Sequence, residues 1–405
     1  MLSQELDVDL APNFSSDPGN FFQSDRDLEL ERTRNLKKQE STAKDAPGNP
    51  ISLPSKVLAF TLVANTANEQ HQYAYIAESA HVVRKVDLKS GKSMMVFRGH
   101  SGPVTSVAVV YDQDGKDVAI FSGSWDKTVR KWDAQTGALL ATFTGHTDFI
   151  KRVLINGRTL YSASSDGTIR AWDTETAVCA RVFKEHTRAV EDIVFSDDGI
   201  HLYSASSDTT IKKWDSRTGD VVATLEGHLT SVYALCVTEG SLWSASADKT
   251  AKRWDLDTNE VDSSFDHPDF VRSLAVFPGG AHLVTGSRDE NVRVFDVASE
   301  KCVHSLGGHY GEVSDIKICG ATIWTASLDG TIRQWPIAAT DLNGSKPSAD
   351  SQPQQPAQQQ KAAPPPSAPT TTTSSSSSSR KKKAAVTMTE EEERELAELM
   401  GEDSD

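Results

Sequence analysis

The sequence predicts an all-β fold built from one four-stranded unit that repeats around a ring. One cassette recurs six times between Gly99 and Trp335. Each copy has a loop histidine, an apolar segment, a Ser or Thr four residues before an Asp, and an aromatic residue six positions after that Asp. Successive aromatic residues are 40 to 42 positions apart, which is the period of a four-stranded repeat. This constant period indicates one closed architecture.

The marker residues of the cassettes also form recurring dipeptides. Four cassettes end in Trp-Asp, and four of the loop histidines follow a glycine. The dipeptides are Trp132-Asp133, Trp172-Asp173, Trp214-Asp215 and Trp254-Asp255, with Gly99-His100, Gly145-His146, Gly227-His228 and Gly308-His309. With these motifs the chain resembles the WD-repeat family of β-propellers over residues 51–341. The resemblance implies a seven-bladed WD-repeat β-propeller, with disordered N- and C-terminal tails outside it.

The first of the seven blades is degenerate. Strand-like segments at residues 57–63, 73–77 and 82–86 precede the first cassette and align as blade 1. They have the alternation of a half-buried strand, but no His, Asp or Trp stands at the expected positions. We therefore expect blade 1 to be held in place by its neighbours.

Ring closure requires a fourth strand for the last blade, because an open propeller would expose a sheet edge. Two segments could supply it: residues 51–53, before blade 1, and residues 337–340, after blade 7. We favour the first segment, which would give the interlocked closure usual in the family. The second segment stays open as the alternative.

Composition predicts that the rest of the chain forms tails. Residues 1–50 form an acidic, largely disordered leader with too little apolar content for a core. Residues 342–388 form a low-complexity linker of Gln, Pro, Thr and Ser that contains a basic run. The sequence predicts a short helix over residues 389–401 and an acidic tail over residues 402–405.

The predicted terminal helix is amphipathic. Thr389 and Glu392 form a capping box at its start. Its apolar residues Leu396, Leu399 and Met400 share one face. This pattern resembles a short linear motif that docks in a groove of a partner protein. The alternative is a merely solubilising acidic tail.

Each cassette contains the groups of a hydrolytic triad: a Ser or Thr, a His and an Asp. Because no enzyme needs six copies of one active site, we interpret these groups as structural. The resemblance implies that they join the aromatic residue in a buried hydrogen-bond chain from the entry loop to the turn between the second and third strands. The predicted structural tetrads are His100, Ser122, Asp126, Trp132; His146, Ser162, Asp166, Trp172; His186, Ser204, Asp208, Trp214; His228, Ser244, Asp248, Trp254; His267, Thr285, Asp289, Phe295; and His309, Thr325, Asp329, Trp335.

Blade 6 departs from the pattern. Phe295 has no indole N–H, so we expect its chain to lose one link and Thr285 to need another partner. A basic series also follows the turn aspartates, and its recurrence favours a structural role over nucleic-acid contact. Its members are Arg130, Arg170, Lys212, Lys252, Arg293 and Arg333.

Binding is expected on the face around the central channel, where loop residues vary while the blades stay fixed. The resemblance places the face positions three and five residues after each loop His and directly before each turn Asp. An aromatic and basic mixture there is typical of binding hot spots and suits an acidic or phosphorylated peptide. The predicted partner-binding residues on this face are Trp125, Phe149, Lys151, Tyr233, Phe270, Arg272 and Arg288. The alternative is that some of these aromatic residues pack locally between blades.

Charge and composition limit the classes of partner. The net charge of −15 over 405 residues argues against direct nucleic-acid binding, because phosphates are bound by clustered Lys and Arg. No apolar run reaches the roughly 18 residues that cross a bilayer, so no membrane partner is expected. The four cysteines are scattered singly and no secretory signal is present, which predicts an intracellular protein. A basic run leaves both cytoplasm and nucleus open. The run is Arg380, Lys381, Lys382 and Lys383.

We therefore expect a non-enzymatic scaffold or adaptor without cofactor or metal, present as a monomeric propeller within a larger complex. It would bind other proteins through the channel face and through the C-terminal helical motif. The alternative is a substrate-recognition or assembly-factor subunit of a nuclear complex for RNA processing, ribosome biogenesis or ubiquitin transfer. Direct RNA binding is a third alternative, and it would require salt-dependent binding despite the acidic balance.

Overall fold

The computed structural model describes residues 46–64, 71–238 and 240–336, together with Leu36 and Gln39. Within this part of the chain, 28 strands form seven antiparallel sheets of four strands each. The predicted all-β, seven-bladed propeller is confirmed.

The structure does not describe most of the predicted tail segments. The linker 342–388, the helix 389–401 and the acidic tail 402–405 lie outside the described residues, as does most of the leader 1–50. Among the residues that are described, no helix has the length and apolar content needed to span a membrane.

Strand β1 (Ile51–Ser52) precedes the blades, and blades 1 to 6 each consist of four consecutive strands. Blade 1 is β2 (Val57–Ala64), β3 (His71–Glu78), β4 (Val82–Asp87) and β5 (Ser93–Arg98); blade 2 is β6 (Val104–Tyr111), β7 (Asp117–Ser124), β8 (Thr128–Asp133) and β9 (Leu139–Thr144); blade 3 is β10 (Ile150–Asn156), β11 (Thr159–Ser164), β12 (Ile169–Asp173) and β13 (Cys179–Phe183). Blade 4 is β14 (Val190–Phe195), β15 (His201–Ser206), β16 (Ile211–Asp215) and β17 (Val221–Leu225); blade 5 is β18 (Val232–Thr238), β19 (Ser241–Ser246), β20 (Thr250–Asp255) and β21 (Val261–Asp266); blade 6 is β22 (Val271–Val276), β23 (His282–Ser287), β24 (Val292–Asp296) and β25 (Lys301–Leu306).

Blade 7 closes the ring with a strand from the other end of the propeller. Its own strands are β26 (Val313–Cys319), β27 (Thr322–Ser327) and β28 (Thr331–Pro336), and β1 is the fourth. In the antiparallel pairing of β1 with β28, Ile51 lies opposite Ile332. Leu53 extends the pairing by donating its backbone N–H to the Gly330 carbonyl at 2.8 Å. Of the two segments considered for closure, the one before blade 1 is therefore used, and residues 337–340 lie outside the described residues.

The contacts of the propeller begin before the predicted boundary at residue 51. The Gly48 carbonyl accepts a hydrogen bond from the backbone N–H of Gln334 at 2.8 Å. The neighbouring Pro47 carbonyl accepts one from the guanidinium of Arg333, which is fully buried. The end of the predicted leader thus packs on the outer strands of blade 7. Composition could not show this, because Pro and Gly bind here through backbone carbonyls rather than apolar side chains.

The core lies between neighbouring blades. An aromatic ring from the last strand of one blade contacts the cassette aromatic of the next, as Phe97 contacts Trp132 at a centroid distance of 6.1 Å. Phe143 and Trp172 repeat the contact at 6.0 Å, again edge to face. Each of these four rings is almost completely buried. Replacing one of them with Ala would cost about 3–5 kcal/mol, so these rings hold the blades together.

Strand direction decides which loops share a face. In each sheet the first strand lies beside the first strands of the neighbouring blades and therefore lines the channel. Because successive strands alternate in direction, the turn between the second and third strands lies at the same end as the loop that enters the first. The cassette His and Asp therefore meet on one face. The hairpins between strands one and two, and the turns between three and four, lie on the opposite face.

Candidate functional site

The cassette residues of blade 2 form one continuous hydrogen-bond chain. His100 Nδ1 lies 2.7 Å from Asp126 Oδ2, and His100 Nε2 lies 2.7 Å from Ser122 Oγ. Trp132 Nε1 donates to the same Ser122 oxygen at 2.8 Å. Because a carboxylate only accepts, His100 donates from Nδ1, and the Ser122 hydroxyl is left to donate to Nε2. The chain ties the entry loop to the turn and to the third strand.

The same chain recurs in four more blades. In blades 3, 4, 5 and 7 the corresponding donor–acceptor distances lie between 2.6 and 3.0 Å. The participants are His146, Ser162, Asp166 and Trp172; His186, Ser204, Asp208 and Trp214; His228, Ser244, Asp248 and Trp254; and His309, Thr325, Asp329 and Trp335.

The turn aspartates are stabilised as carboxylates. Asp126 Oδ1 also accepts from the Thr128 hydroxyl at 2.6 Å, and Asp126 Oδ2 accepts from the backbone N–H of Ser101 at 3.1 Å. Burial alone would raise the pKa of the Asp126 carboxyl, but the bonds from His100, Thr128 and Ser101 outweigh it and hold that pKa well below its usual range.

Blade 6 differs from the predicted tetrad. His267 Nε2 lies 2.8 Å from Thr285 Oγ1, so Thr285 keeps the histidine as its partner although Phe295 offers no N–H. His267 Nδ1 donates to the Phe265 carbonyl at 3.0 Å instead of to Asp289. Burial lowers the pKa of the His267 imidazole to about 4. The prediction that Asp289 joins this chain was therefore wrong.

In blade 6 a guanidinium takes the place of the imidazole. The Arg293 guanidinium makes two bonds to Asp289, from Nη1 to Oδ1 at 3.1 Å and from Nη2 to Oδ2 at 2.5 Å. In the other five cassettes the residue after the loop His donates its backbone N–H to the turn Asp. Pro268, which follows His267, has no N–H to donate, so Asp289 lacks this tie to the entry loop. Arg293 belongs to the basic series, whose members sit opposite the cassette Ser or Thr in the strand register, as Arg130 faces Ser122.

The triad-like geometry does not expose a nucleophile. Each cassette hydroxyl belongs to a residue with no solvent-exposed surface. In blades 2 to 5 and 7 its oxygen also accepts an indole N–H. Attack on a substrate requires a reachable oxygen, so these six groups act as structural ties. The buried hydroxyls are Ser122, Ser162, Ser204, Ser244, Thr285 and Thr325.

Blade 1, which lacks a tetrad, is joined to blade 2 through Asp117. This buried carboxylate on β7 accepts bonds from the Tyr73 hydroxyl at 2.6 Å, from the Tyr75 hydroxyl, and from Lys85 Nζ at 2.9 Å. Lys85 Nζ also lies 4.0 Å from the centroid of the Tyr73 ring. Burial, followed by the bonds to Asp117, raises the pKa values of both tyrosines.

A second carboxylate replaces the missing loop-to-turn tie in blade 1. Glu78, which is fully buried, accepts a bond from the Ser55 hydroxyl of the entry loop at 2.7 Å. The guanidinium of Arg84, on the third strand, also binds Glu78. Sequence analysis missed Asp117 and Glu78 because neither stands at a cassette position.

The predicted face positions lie side by side. In all six cassettes the residue before the turn Asp donates its backbone N–H to the carbonyl of the residue three positions after the loop His, at 2.8 to 3.0 Å. On this framework the Trp125 and Phe149 rings, from blades 2 and 3, stack with centroids 5.1 Å apart and an angle of 22°. Both side chains remain partly exposed. The stack is a local contact between blades and also an apolar surface.

Two guanidinium groups lie over aromatic rings on blades 5 and 6. The Arg272 guanidinium carbon is 4.0 Å from the centroid of Tyr233, and that of Arg288 is 5.2 Å from the centroid of Phe270. Arg288 is exposed, and the other three residues are partly buried. Such cation–π pairs present a flat, charged surface to a ligand.

Carboxylates of the face hold two of the predicted cations. Lys151 Nζ lies 3.1 Å from Glu191 Oε2, and Arg272 Nε contacts Glu312. Burial would raise the pKa of the Glu191 carboxyl, but Lys151, Arg272 and a bond from the Ser207 hydroxyl outweigh it and lower that pKa. Sequence analysis did not assign Glu191 and Glu312 to the site, although they occupy face positions and their spacing could have identified them.

The remaining predicted features are not placed by the structure. Leu396, Leu399 and Met400 lie outside the described residues, and so does the basic run at 380–383. Within the described part of the chain, no group of three or more His, Cys, Asp or Glu side chains is arranged to hold a metal ion.

Comparison with known families agrees with this architecture. The pattern of the family described as WD domain, G-beta repeat matches six segments that together cover more than half of the chain. The segments are 91–133, 137–173, 177–215, 219–255, 260–296 and 300–336. Each ends at the last residue of a third strand, so each begins in the preceding blade and is offset by one strand from the sheets. Blade 1 therefore contributes only its last strand to a match.

Individual relatives differ in how much they share. An uncharacterised WD repeat-containing protein of Schizosaccharomyces pombe is 29% identical over 356 residues, which is 84% of this chain and 93% of that protein. The methylosome protein WDR77 of Xenopus laevis is 32% identical over 76 residues, 18% of this chain and 23% of that protein. A ribosome biogenesis protein BOP1 homologue of Drosophila mojavensis is 36% identical over 62 residues, 15% of this chain and 7% of that protein. The last two matches each span fewer than two repeats.

Proposed function

Because the chain belongs to the WD-repeat family of β-propellers, we propose that it is a non-enzymatic scaffold that binds protein segments across its channel face. Propellers of this family are generally platforms for protein interaction, and fold alone does not select a partner. The proposal rests on one observation: at the loop positions of the channel face, aromatic rings stack on each other or lie beneath guanidinium groups.

The chemistry of these pairs favours an extended segment with an acidic or phosphorylated residue. The Trp125–Phe149 stack offers a flat apolar surface for a large side chain. Arg288 is exposed and can bind a carboxylate or phosphate through two N–H groups. Arginine and aromatic side chains are the residue types that most often dominate binding energy at interfaces.

The C-terminal motif supplies a second recognition element in this proposal. Leu396, Leu399 and Met400 follow a long polar segment, so the motif can reach a partner that is separate from the one on the face. The two elements would then bring two proteins into one complex, which is the action of a scaffold.

Affinity purification with mass spectrometry tests this proposal. The bait proteins are the intact chain, a Phe149→Ala/Arg288→Glu variant and a chain truncated after Asp341. Arg217→Glu is the matched control, because Arg217 is an exposed residue in a turn of the opposite face. We expect the face variant to lose partners that Arg217→Glu keeps, and thermal melting checks that each bait is folded. Equal partner sets for the face variant and the control would contradict binding on the channel face.

The second candidate is an assembly-factor or substrate-recognition subunit of a nuclear complex, as in RNA processing, ribosome biogenesis or ubiquitin transfer. The name of one relative, a ribosome biogenesis protein, is the observation that motivates it. The basic run at 380–383 would supply nuclear import. Deleting that run should move a fluorescent fusion from nucleus to cytoplasm. A fusion that is cytoplasmic before the deletion would contradict this candidate.

A further inference from the structure

The carboxylates on the channel face form two ion pairs with its cations. Lys151 and Glu191 pair between blades 3 and 4, and Arg272 and Glu312 pair between blades 6 and 7. Their side chains are only 29%, 10%, 22% and 12% exposed, respectively.

The predicted face positions together carry little excess positive charge. The face positions carry three cations, of which Lys151 and Arg272 already contact Glu191 and Glu312. Three cations and two carboxylates give a net charge of +1 at these positions. Arg288 is the cation with an exposed side chain. Asp148 and Asp269 directly precede Phe149 and Phe270, and their carboxylates accept the backbone N–H groups of these phenylalanines at 2.8 and 2.9 Å.

We infer that the face selects segments with a single acidic or phosphorylated residue beside large apolar side chains, and that Glu191 and Glu312 exclude polyacidic segments. This inference rests on the proposed function. A second acidic group at the channel mouth would meet these carboxylates, and like charges at close range oppose binding. To reach Lys151, it would have to displace Glu191, which would leave a largely buried carboxylate without its cation.

The aromatic pairs supply the other half of the selection. The partly exposed Trp125–Phe149 stack lies on blades 2 and 3, away from the exposed guanidinium on blade 6. A segment that crosses the channel mouth therefore meets the aromatic stack at one side and the exposed side chain of Arg288 at the other. Binding energy then comes from burial of large side chains, and the acidic group fixes the direction of the segment.

A random dodecapeptide library displayed on phage tests the inference with the intact chain. We expect enriched peptides to carry aromatic or large aliphatic residues with one acidic residue. The Glu312→Gln and Glu191→Gln variants keep the side-chain shape and an acceptor oxygen but remove the charge, so their enriched peptides should contain more acidic residues. The matched control is Glu300→Gln, which removes one exposed carboxylate from a turn on the opposite face and should leave the selection unchanged.

A direct binding measurement supports the library experiment. Fluorescein-labelled hexaglutamate should bind Glu312→Gln about tenfold more tightly than it binds the intact chain or Glu300→Gln, because one repulsive charge at the channel mouth is gone. Equal affinity for all three proteins would overturn the inference, and so would polyacidic peptides enriched by the intact chain.

The two proposals fail in different ways. If the Phe149→Ala/Arg288→Glu variant enriches the same peptides as the intact chain, or if the intact chain enriches none, the proposed function fails and the inference fails with it. If peptide binding depends on Phe149 and Arg288 but the peptides are polyacidic, only the inference is overturned.

Discussion

The Asp315 carboxylate accepts a hydrogen bond from the backbone N–H of Phe60, with 3.1 Å between Oδ2 and the nitrogen. Asp315 lies on the innermost strand of blade 7 and Phe60 on that of blade 1, so the bond crosses the seam of the ring beside the channel. Ser314 adds a bond from its hydroxyl to the Val57 carbonyl at 2.7 Å. The seam is thus joined at its inner edge by side chains and at its outer edge by β1.

The inner tie predicts a loss of stability on substitution. Asp315→Ala would leave the buried backbone N–H of Phe60 without its acceptor and should lower the free energy of unfolding by about 1–3 kcal/mol. Urea denaturation measures the loss. Asp192→Ala is the matched comparison, because Asp192 makes the same bond to Leu235 at 2.9 Å between blades 4 and 5.

Limited proteolysis separates the seam from the interior. Asp315→Ala should speed cleavage between Ile51 and Val57, while Asp192→Ala should not, because β1 has only two residues to hold the outer edge of the seam. Identical urea midpoints for Asp315→Ala and the unchanged protein would show that the inner tie does not stabilise the ring.

The complete hydrogen-bond chains should be more sensitive to loss of their Asp than blade 6 is. Asp208→Ala removes the partner of His186 and should cost about 1–3 kcal/mol. Asp289→Ala leaves both bonds of His267 in place, and the partly exposed guanidinium of Arg293 can turn to water, so this variant should cost about 1 kcal/mol or less. Thermal and urea denaturation of both variants check this order. Equal losses would mean that Asp289 contributes as much to the free energy of unfolding as Asp208 does.

His267 should make stability depend on pH in a defined window. Its pKa is lowered by burial to about 4 in the folded protein, against about 6.5 in an unfolded chain. Between these values the unfolded chain binds a proton that the folded protein does not, so stability is fully present above about pH 6.5 and falls as the pH drops towards 4. At the lower end of this window, protonation of this imidazole in the unfolded chain lowers the free energy of unfolding by about 3 kcal/mol.

Urea denaturation across that window tests the role of the imidazole. His267→Gln should flatten the pH dependence, whereas His201→Gln should keep it because the His201 side chain is more exposed. If His267→Gln retains the full slope, other groups cause the acid sensitivity.

Replacing Asp117 should reduce stability more than replacing Asp208 or Asp315. Asp117→Ala should lower the free energy of unfolding by about 3–5 kcal/mol, because it leaves the buried ammonium of Lys85 without its partner. Adding Lys85→Met to Asp117→Ala removes that unpaired charge and should recover part of the loss. Calorimetry on both variants tests this, and a double variant that melts no higher than Asp117→Ala would exclude the buried charge as the cause.

The repeated features were accessible from sequence because they depend on spacing within one repeat. Ser122, Asp126 and Trp132 stand at offsets that recur around the ring, and such offsets are visible in a single chain. Six of the seven blades follow from the same period, and blade 1 was inferred from its strand-like segments.

Contacts between different repeats were not accessible in this way. Asp117 sits outside the cassette pattern of blade 2 and acts on blade 1. Even within blade 6 the pairing of Arg293 with Asp289 was not evident, because Arg130 and Arg170 stand at the same register position and leave their turn aspartates to the histidines. Pairing of Lys151 with Glu191 depends on how two blades meet, which periodicity does not specify.

The shared last sheet also sets the order in which the ring can be completed during synthesis. Ile51 and Ser52 leave the ribosome before any blade exists, yet their pairing partners, Thr331 and Ile332, are made only after blades 1 to 6. Strand β1 therefore has no pairing partner until the intervening blades have been synthesised, and the ring closes after them. A partner that recognises the whole channel face would consequently distinguish finished molecules from nascent ones.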